Sequence, residues 1–303
     1  MATRYDEPLE VTMANASKRL STNVDGNFFV DSTCINCDTC RQLAPATFSE
    51  KDDFSFVAQQ PEGRDEIFHA YQALLACPVG SIGALAGEKQ ALDLATESFP
   101  LQIDGSVYYN GFNSEKSFGA NSYFIRRPEG NWLIDSPRYM RRLVQVFEHW
   151  GGIHSIFLTH EDDVADADRY AKHFGARRII HRADMAAQPD AEMVVEGNAP
   201  VQVAEDCFIL PVPGHTEGSQ ALLYANRYLF TGDHLWWDRD EHRLGMPSTL
   251  VWSATDLYRS TDALLGYEFE WVLPGHGDRI YLPAAQMKQE LHRLLATRTK
   301  QGA

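Results

Sequence analysis

The sequence contains no apolar run of about 18 residues, the length that a helix needs to cross a bilayer. Residues 1–20 also lack the apolar core of a secretory signal. The formal net charge of −15 repels nucleic-acid phosphates, and no stripe of lysine and arginine counters it. We therefore expect no membrane insertion and no nucleic-acid partner, and we predict a cytoplasmic location.

Cysteine is scarce, with five in 303 residues, but four of the five form one pattern. Cys34, Cys37 and Cys40 follow one another as C-x2-C-x2-C, and Cys77 comes later, directly before a proline. Three thiolates so close in sequence can surround a compact inorganic centre, with the distant fourth as the remaining ligand. Structural zinc more often uses paired C-x2-C units or sets of cysteine and histidine. The spacing thus favours a [4Fe–4S] cluster over zinc and over ordinary buried thiols.

Ala44 and Pro45 stand where bacterial ferredoxins with the run C-x2-C-x2-C-x3-C-P carry a fourth cysteine, which binds their second cluster. Residues 25–85 resemble a single-cluster bacterial ferredoxin, in the segments FFVDSTCINCDTCRQLAPATF and ACPVGSIG. The resemblance implies that one [4Fe–4S] cluster is held by Cys34, Cys37, Cys40 and Cys77. Cys207 stands alone and is predicted to be a buried thiol.

The chain length is typical of two domains. Residues 1–24 show no clear periodicity and are predicted to form an N-terminal arm, which the ferredoxin-like domain at 25–85 follows. Residues 86–100 are small, polar and mixed, so we predict a linker there. Strand-like and helix-like segments are interspersed over residues 101–303, which predicts a layered α/β or α+β domain.

Four polar loops in this second region each follow an apolar, strand-like run, and they read LTHEDDVAD, VPGHTEGS, TGDH and LPGHG. Imidazole and carboxylate ligands from several loops are what a site for a first-row metal needs. The candidate residues are His160, Asp162, Asp163, Asp166, His215, Asp233 and His276.

Residues 101–303 resemble the metallo-β-lactamase fold, which is an αββα sandwich with a metal site at one edge. Its ligand pattern is H-x-H-x-D-H, then histidine in G-H-T-x-G-S, aspartate in G-D and histidine in a late G-H. His215, Asp233 and His276 match the last three motifs. His160 matches the first histidine, but Asp162 stands in place of the second.

The aspartate of the first motif has two candidates. Asp166 takes its place if two residues are inserted, and Asp163 is the rival; either is also a candidate catalytic base. The resemblance then implies one metal position with His160, Asp162, His215 and Asp233, and a weaker second one with Asp166, Asp233 and His276. Two histidines and a carboxylate are associated with non-haem iron(II). We therefore expect one or two metal ions, with iron favoured over zinc, unless the site is degenerate and purely structural.

Three functions are compatible with these features. The first is an oxidoreductase in which the [4Fe–4S] cluster passes electrons to the His/Asp metal site. The family includes diiron members that reduce O2 or NO and have a carboxylate like Asp162, although they use a flavin domain that we do not find here. The second is a metal-dependent hydrolase in which Asp166 or Asp163 acts on a metal-activated water and the cluster is structural or regulatory. The third is an electron carrier whose second domain only binds a partner.

An electron donor or acceptor protein is the expected partner, and neither the substrate nor the oligomeric state is predicted. Several aromatic and histidine side chains near the motifs either line a pocket or belong to the core. They are Tyr108, Tyr109, His234, Trp236, Trp237 and Tyr281.

Overall fold

A computed structural model describes residues 14–296 of the chain. The chain divides between Ser98 and Phe99 into two compact units. The first thirteen residues of the predicted N-terminal arm lie outside the described part. Within residues 14–296, no helix has both the length and the apolar character needed to cross a membrane.

The first unit combines two small antiparallel sheets with three helices. Strands β1 and β4 pair with each other, and β2 and β3 form a hairpin. The elements are β1 (Phe28–Val30), α1 (Thr39–Leu43), β2 (Phe48–Lys51), β3 (Phe54–Val57), α2 (Gly63–Ala76), β4 (Ile82–Ala84) and α3 (Lys89–Ser98). A 3₁₀ turn at Ala16–Lys18 precedes them.

Helix α2 forms the core of this unit and delivers Cys77. Asp65 and Glu66 lie in its first turn, where carboxylates interact favourably with the helix dipole. Tyr71 is buried and packs edge-on against Phe28 of β1, with ring centroids 5.1 Å apart. The helix ends at Ala76 because a residue that precedes a proline, here Cys77, is disfavoured in the helical region.

The predicted linker at 86–100 contains helix α3, which belongs to the first unit. The backbone nitrogen of Glu88 donates a hydrogen bond to the Tyr71 hydroxyl at 2.8 Å, and Nε2 of Gln72 donates to Oγ of Ser98 at 2.9 Å. The helix buries only Ala95. Such a short apolar face produces a weak periodic signal, and for this reason the sequence pattern did not indicate a helix.

The second unit contains two large sheets. The first has the strand order β11-β10-β9-β8-β7-β6-β5, and its strands β8 to β11 run parallel. Its elements are β5 (Leu101–Asp104), β6 (Val107–Tyr109), β7 (Tyr123–Ile125), β8 (Trp132–Ile134), α4 (Arg141–His149), β9 (Ser155–Phe157), α5 (Ala167–Phe174), β10 (Arg177–His181) and β11 (Met193–Val195).

The second sheet has the order β12-β13-β14-β15-β18-β19, with β15 and β18 parallel. Its strands are β12 (Val201–Ala204), β13 (Cys207–Pro211), β14 (Gln220–Tyr224), β15 (Tyr228–Gly232), β18 (Trp271–Pro274) and β19 (Ile280–Tyr281). Around it lie the hairpin β16 (Trp236–Asp238) and β17 (Arg243–Gly245), with helices α6 (Ala254–Ala263) and α7 (Ala284–Ala296).

The two sheets pack face to face and helices cover their outer faces. Consecutive residues of β7 show this arrangement because strand side chains alternate between faces. The Tyr123 ring lies 5.4 Å from Phe230 of the other sheet, whereas Phe124 stacks on Phe147 of α4 at 4.5 Å. Met287 and Leu291 of α7 pack into the core of the second sheet. The unit is thus an αββα sandwich, as the sequence predicted.

Candidate functional site

The four cysteines of the predicted cluster pattern line one cavity in the first unit. Cys40 lies on α1 and Cys77 follows α2; both are buried, and Cys34 and Cys37 are half-buried. All five cysteines of the chain are free. Apolar side chains form much of the remaining wall, among them Val30, Ile35, Val79 and Ile82.

The chemistry of this cavity fits an iron–sulfur cluster. Burial raises the pKa of the Cys37 thiol to about 12 and also raises the pKa of Cys40, so thiolates form there only where a cationic centre stabilises them. Oγ1 of Thr39 lies 3.4 Å from Sγ of Cys37, and Oγ of Ser81 lies 3.4 Å from Sγ of Cys77. Hydrogen bonds to the sulfurs are one means by which proteins tune cluster potentials.

The first group of metal-ligand candidates in the second unit consists of His160, Asp162 and His215. Oδ2 of Asp162 lies 3.3 Å from Nε2 of His215 and 3.7 Å from Nε2 of His160. Oδ2 of Asp233 lies 3.7 Å from each of these two nitrogens. Ligands at about 2.0–2.2 Å around a tetrahedral ion are about 3.3–3.6 Å apart. The spacing of the His160, Asp162 and His215 atoms therefore fits one metal ion, and Asp233 lies next to the two histidines.

The second group consists of His160, Asp163 and Asp233. Asp163 is fully buried and neither of its carboxylate oxygens has a hydrogen-bond partner, which is costly unless a cation binds them. Nδ1 of His276 lies 2.8 Å from Oδ1 of Asp233. Burial alone would lower the pKa of His276, but Asp233 raises it to about 10. Asp233 thus attracts positive charge, and this group also fits a metal ion.

His160 is oriented by a chain of hydrogen bonds. Oγ1 of Thr159 donates to Oδ2 of Asp135 at 3.0 Å and lies 3.0 Å from Nδ1 of His160. Because the hydroxyl proton goes to Asp135, Thr159 accepts from the Nδ1–H group, which leaves the lone pair of Nε2 free for a metal. Nε2 is buried without a partner. No sequence motif indicated Asp135, although it directly follows the apolar strand β8.

Asp184 ties the His160 loop to the His215 loop. Its Oδ2 accepts from the Thr216 hydroxyl at 2.6 Å and from the Glu161 backbone nitrogen at 3.1 Å, while Oδ1 accepts from Gly218 N at 3.0 Å. A Cβ at position 218 would lie 2.5 Å from this carboxylate, so the loop needs glycine there. No sequence motif indicated Asp184, because it lies in a 3₁₀ turn far from both loops in sequence.

Of the two candidates for the aspartate of the first motif, Asp166 is not grouped with the other metal-ligand candidates. Its Oδ1 lies 2.6 Å from Nζ of Lys116, and its Oδ2 accepts from the Tyr139 backbone nitrogen at 2.8 Å. A 3₁₀ turn, Glu161–Asp163, begins directly after His160 and places Asp162 and Asp163 side by side in the site. This placement favours the rival candidate Asp163, which requires no insertion in the motif.

Two matched substitutions test this assignment. We expect Asp163→Asn to weaken binding of the second metal by at least about 100-fold, because loss of an outer-shell partner alone costs 10–100-fold. Asp166→Asn should leave the metal content unchanged, because the Asp166 carboxylate binds Lys116 and the Tyr139 backbone nitrogen instead. Elemental analysis of the two purified variants measures the difference, and metal loss from Asp166→Asn alone would contradict the assignment.

The metal-ligand candidates lie in an open cleft of about 1250 Å³. The six residues predicted either to line a pocket or to belong to the core do not line this cleft: Tyr109 is buried beside Asn113, and Nε2 of His234 lies 3.0 Å from Oγ1 of Thr261. The large apolar side chains at the cleft are instead Phe118, Leu250 and Trp252. They come from loops with no motif, so nothing in the sequence linked them to the site.

Residues 30–84 match a family model, the 4Fe-4S single cluster domain of Ferredoxin I. The matched range contains Cys34, Cys37, Cys40 and Cys77 and lies within the region that resembled a ferredoxin. The chain therefore contains a single-cluster [4Fe–4S] ferredoxin domain, and this resemblance is confirmed. No curated protein matches the sequence.

About two thirds of the chain is similar to solved structures. The match to VMB-1 has 16% identity, covers 65% of this chain and 96% of that chain, and has a TM-score of 0.51. The DIM-1 metallo-β-lactamase matches at 15% identity, with 65% and 96% covered and a TM-score of 0.49. A metallo-β-lactamase family protein from Thermus thermophilus matches at 17%, with 66% and 81% covered and a TM-score of 0.48. Identities this low show the fold alone, and the αββα sandwich of the second unit is the metallo-β-lactamase fold.

Proposed function

We propose that this protein is an oxidoreductase that contains a non-haem iron site in its second unit and receives single electrons through its ferredoxin domain. The observation that supports it most is the donor set of the cleft, in which carboxylates are as numerous as imidazoles. Its members are Asp162, Asp163, Asp233, His160, His215 and His276. Two histidines with a carboxylate and open positions are typical of non-haem iron(II).

The proposed roles of the residues follow from their surroundings. His160, Asp162 and His215, with Asp233, would hold the first metal. Asp163 and Asp233, which lie close to His160, would hold the second, and His276 beside Asp233 is a further candidate ligand. When bound, the iron supplies one-electron redox chemistry and the [4Fe–4S] cluster held by the four cysteines supplies single electrons.

Access to the site supports an organic substrate. The Asp162 side chain is 62% exposed and lines the open cleft together with His215, whereas His160 of the same group is buried. A cleft of about 1250 Å³ is larger than the roughly 300–1,000 Å³ of most small-molecule sites and far larger than a diatomic gas needs. An electron donor or acceptor protein is the proposed partner.

A metal-dependent hydrolase with a structural or regulatory cluster is the second candidate. The observation that favours it is Asp163, whose unpartnered carboxylate lines the cleft beside the first donor group. A carboxylate in that place can orient or deprotonate a water molecule. A pure electron carrier is less well supported, because unpartnered buried donors such as Nε2 of His160 and the oxygens of Asp163 are costly without a bound ion.

Metal content distinguishes the two candidates. We expect anaerobically purified protein to contain more than four iron atoms per chain, because the cluster accounts for four. Elemental analysis together with visible and electron paramagnetic resonance spectroscopy would show both the cluster and the additional iron. Zinc in the second unit, with only four irons per chain, would contradict the oxidoreductase and favour the hydrolase.

A further inference from the structure

The rim of the cleft carries negative charge that bound metal would not neutralise. Glu115, Glu161 and Glu217 line the cleft and are exposed, in addition to the carboxylates of the metal groups. Among the described residues that line the cleft, Lys116 is the only lysine or arginine. Its Nζ lies 2.6 Å from Oδ1 of Asp166. Apart from the metal ions themselves, an anionic substrate would therefore meet repulsion at the rim, without a free cationic side chain as a partner.

The same rim exposes large apolar side chains. Phe118 is 58%, Leu250 85% and Trp252 54% exposed, and all three line the cleft. Phe118 and Leu250 also have positive φ angles of 51° and 53°, a conformation that is costly for side chains of this size. Exposed apolar groups and backbone strain both occur at ligand-binding sites.

The two aromatic residues are attached to the metal-ligand candidates on different loops. The backbone nitrogen of Trp252 donates to the carbonyl oxygen of His215 at 2.9 Å. The carbonyl oxygen of Phe118 lies 3.4 Å from Nε2 of His276, and the two rings are 6.4 Å apart. Phe118 and Trp252 are therefore held next to the donors, and the unpartnered, fully buried carboxylate of Asp163 lines the same cleft.

We propose that the cleft binds an organic cation with an apolar body as its substrate, an inference that rests on the oxidoreductase function proposed above. The rim glutamates attract the positive charge, and Phe118 and Trp252 contact the apolar body and face the cation. Aromatic faces bind alkylammonium groups through their quadrupole, most strongly for tryptophan. The negative charge of the rim glutamates selects against an anion and favours a cation over a neutral molecule of the same shape.

Calorimetric titration of the anaerobically purified, metal-loaded full chain with three matched probes tests this. The probes are (3-phenylpropyl)trimethylammonium, its neutral isostere with a tert-butyl group in place of the trimethylammonium group, and 4-phenylbutyrate. We expect the cation to bind at least about tenfold more tightly than the isostere, with an affinity that falls as salt is added, and the carboxylate to bind most weakly. Equal binding of cation and isostere, tighter binding of the carboxylate, or no binding of any probe would overturn the proposal.

Variants assign any binding to the rim. Trp252→Ala should weaken binding of both the cation and the isostere, whereas Glu217→Gln should weaken binding of the cation only. Glu97→Gln, which removes an exposed carboxylate of the first unit, is the matched control and should change neither. If Glu217→Gln and Glu97→Gln behave alike for the cation, the rim charge is not responsible. These titrations do not depend on turnover, so their failure is distinct from a metal count that finds zinc.

Discussion

Replacement of Asp233 by asparagine is expected to remove the metal of the second unit while the [4Fe–4S] absorption remains. Asp233 belongs to the second donor group and also lies next to the first, since its Oδ2 is 3.7 Å from Nε2 of His160 and of His215. Its Oδ1 lies 2.8 Å from Nδ1 of His276. Asparagine keeps the shape but loses the charge. We expect affinity for both ions to fall by at least about 100-fold, more than the loss of an outer-shell partner causes.

Elemental analysis and visible spectroscopy of the same sample measure this prediction. The matched control is Asp262→Asn, which alters an exposed carboxylate on α6 that does not line the cleft. Full metal content in Asp233→Asn would show that the ions are not held where the side chains converge.

Cys77→Ser is expected to abolish nearly all of the broad visible absorption of the cluster. Cys77 lines the same cavity as the three clustered cysteines, and the loss of one of four thiolates leaves an iron atom without its ligand. Because metal binding contributes to the folding free energy of small domains, the first unit should also lose stability.

Cys207→Ser is the control for this experiment. Cys207 is also a buried free thiol, but it lies in β13 of the second unit. We expect its replacement to leave the absorption unchanged. Undiminished cluster loading in Cys77→Ser would mean that another side chain is the fourth ligand.

The choice between Asp163 and Asp166 as the candidate aspartate ligand shows what motif matching alone could not predict. The family pattern could be aligned with residues 160–167 only by inserting two residues, and that alignment indicated Asp166. The backbone instead turns immediately after His160, so the adjacent Asp162 and Asp163 both reach the site. A turn of this kind depends on contacts from other loops, such as the Asp184 carboxylate that accepts from Glu161 N at 3.1 Å.

The sequence by itself determined the cluster pattern, the two kinds of domain and the four candidate donors His160, His215, Asp233 and His276. These features could be predicted because each depends on residue spacing within a short segment or on an apolar strand that ends in a polar turn. The tertiary structure decided the role of Asp163, the Asp135–Thr159 link to His160 and the composition of the cleft rim. Each of these three features brings together residues from separate strands and loops. Such contacts depend on how the sheets pack rather than on local sequence.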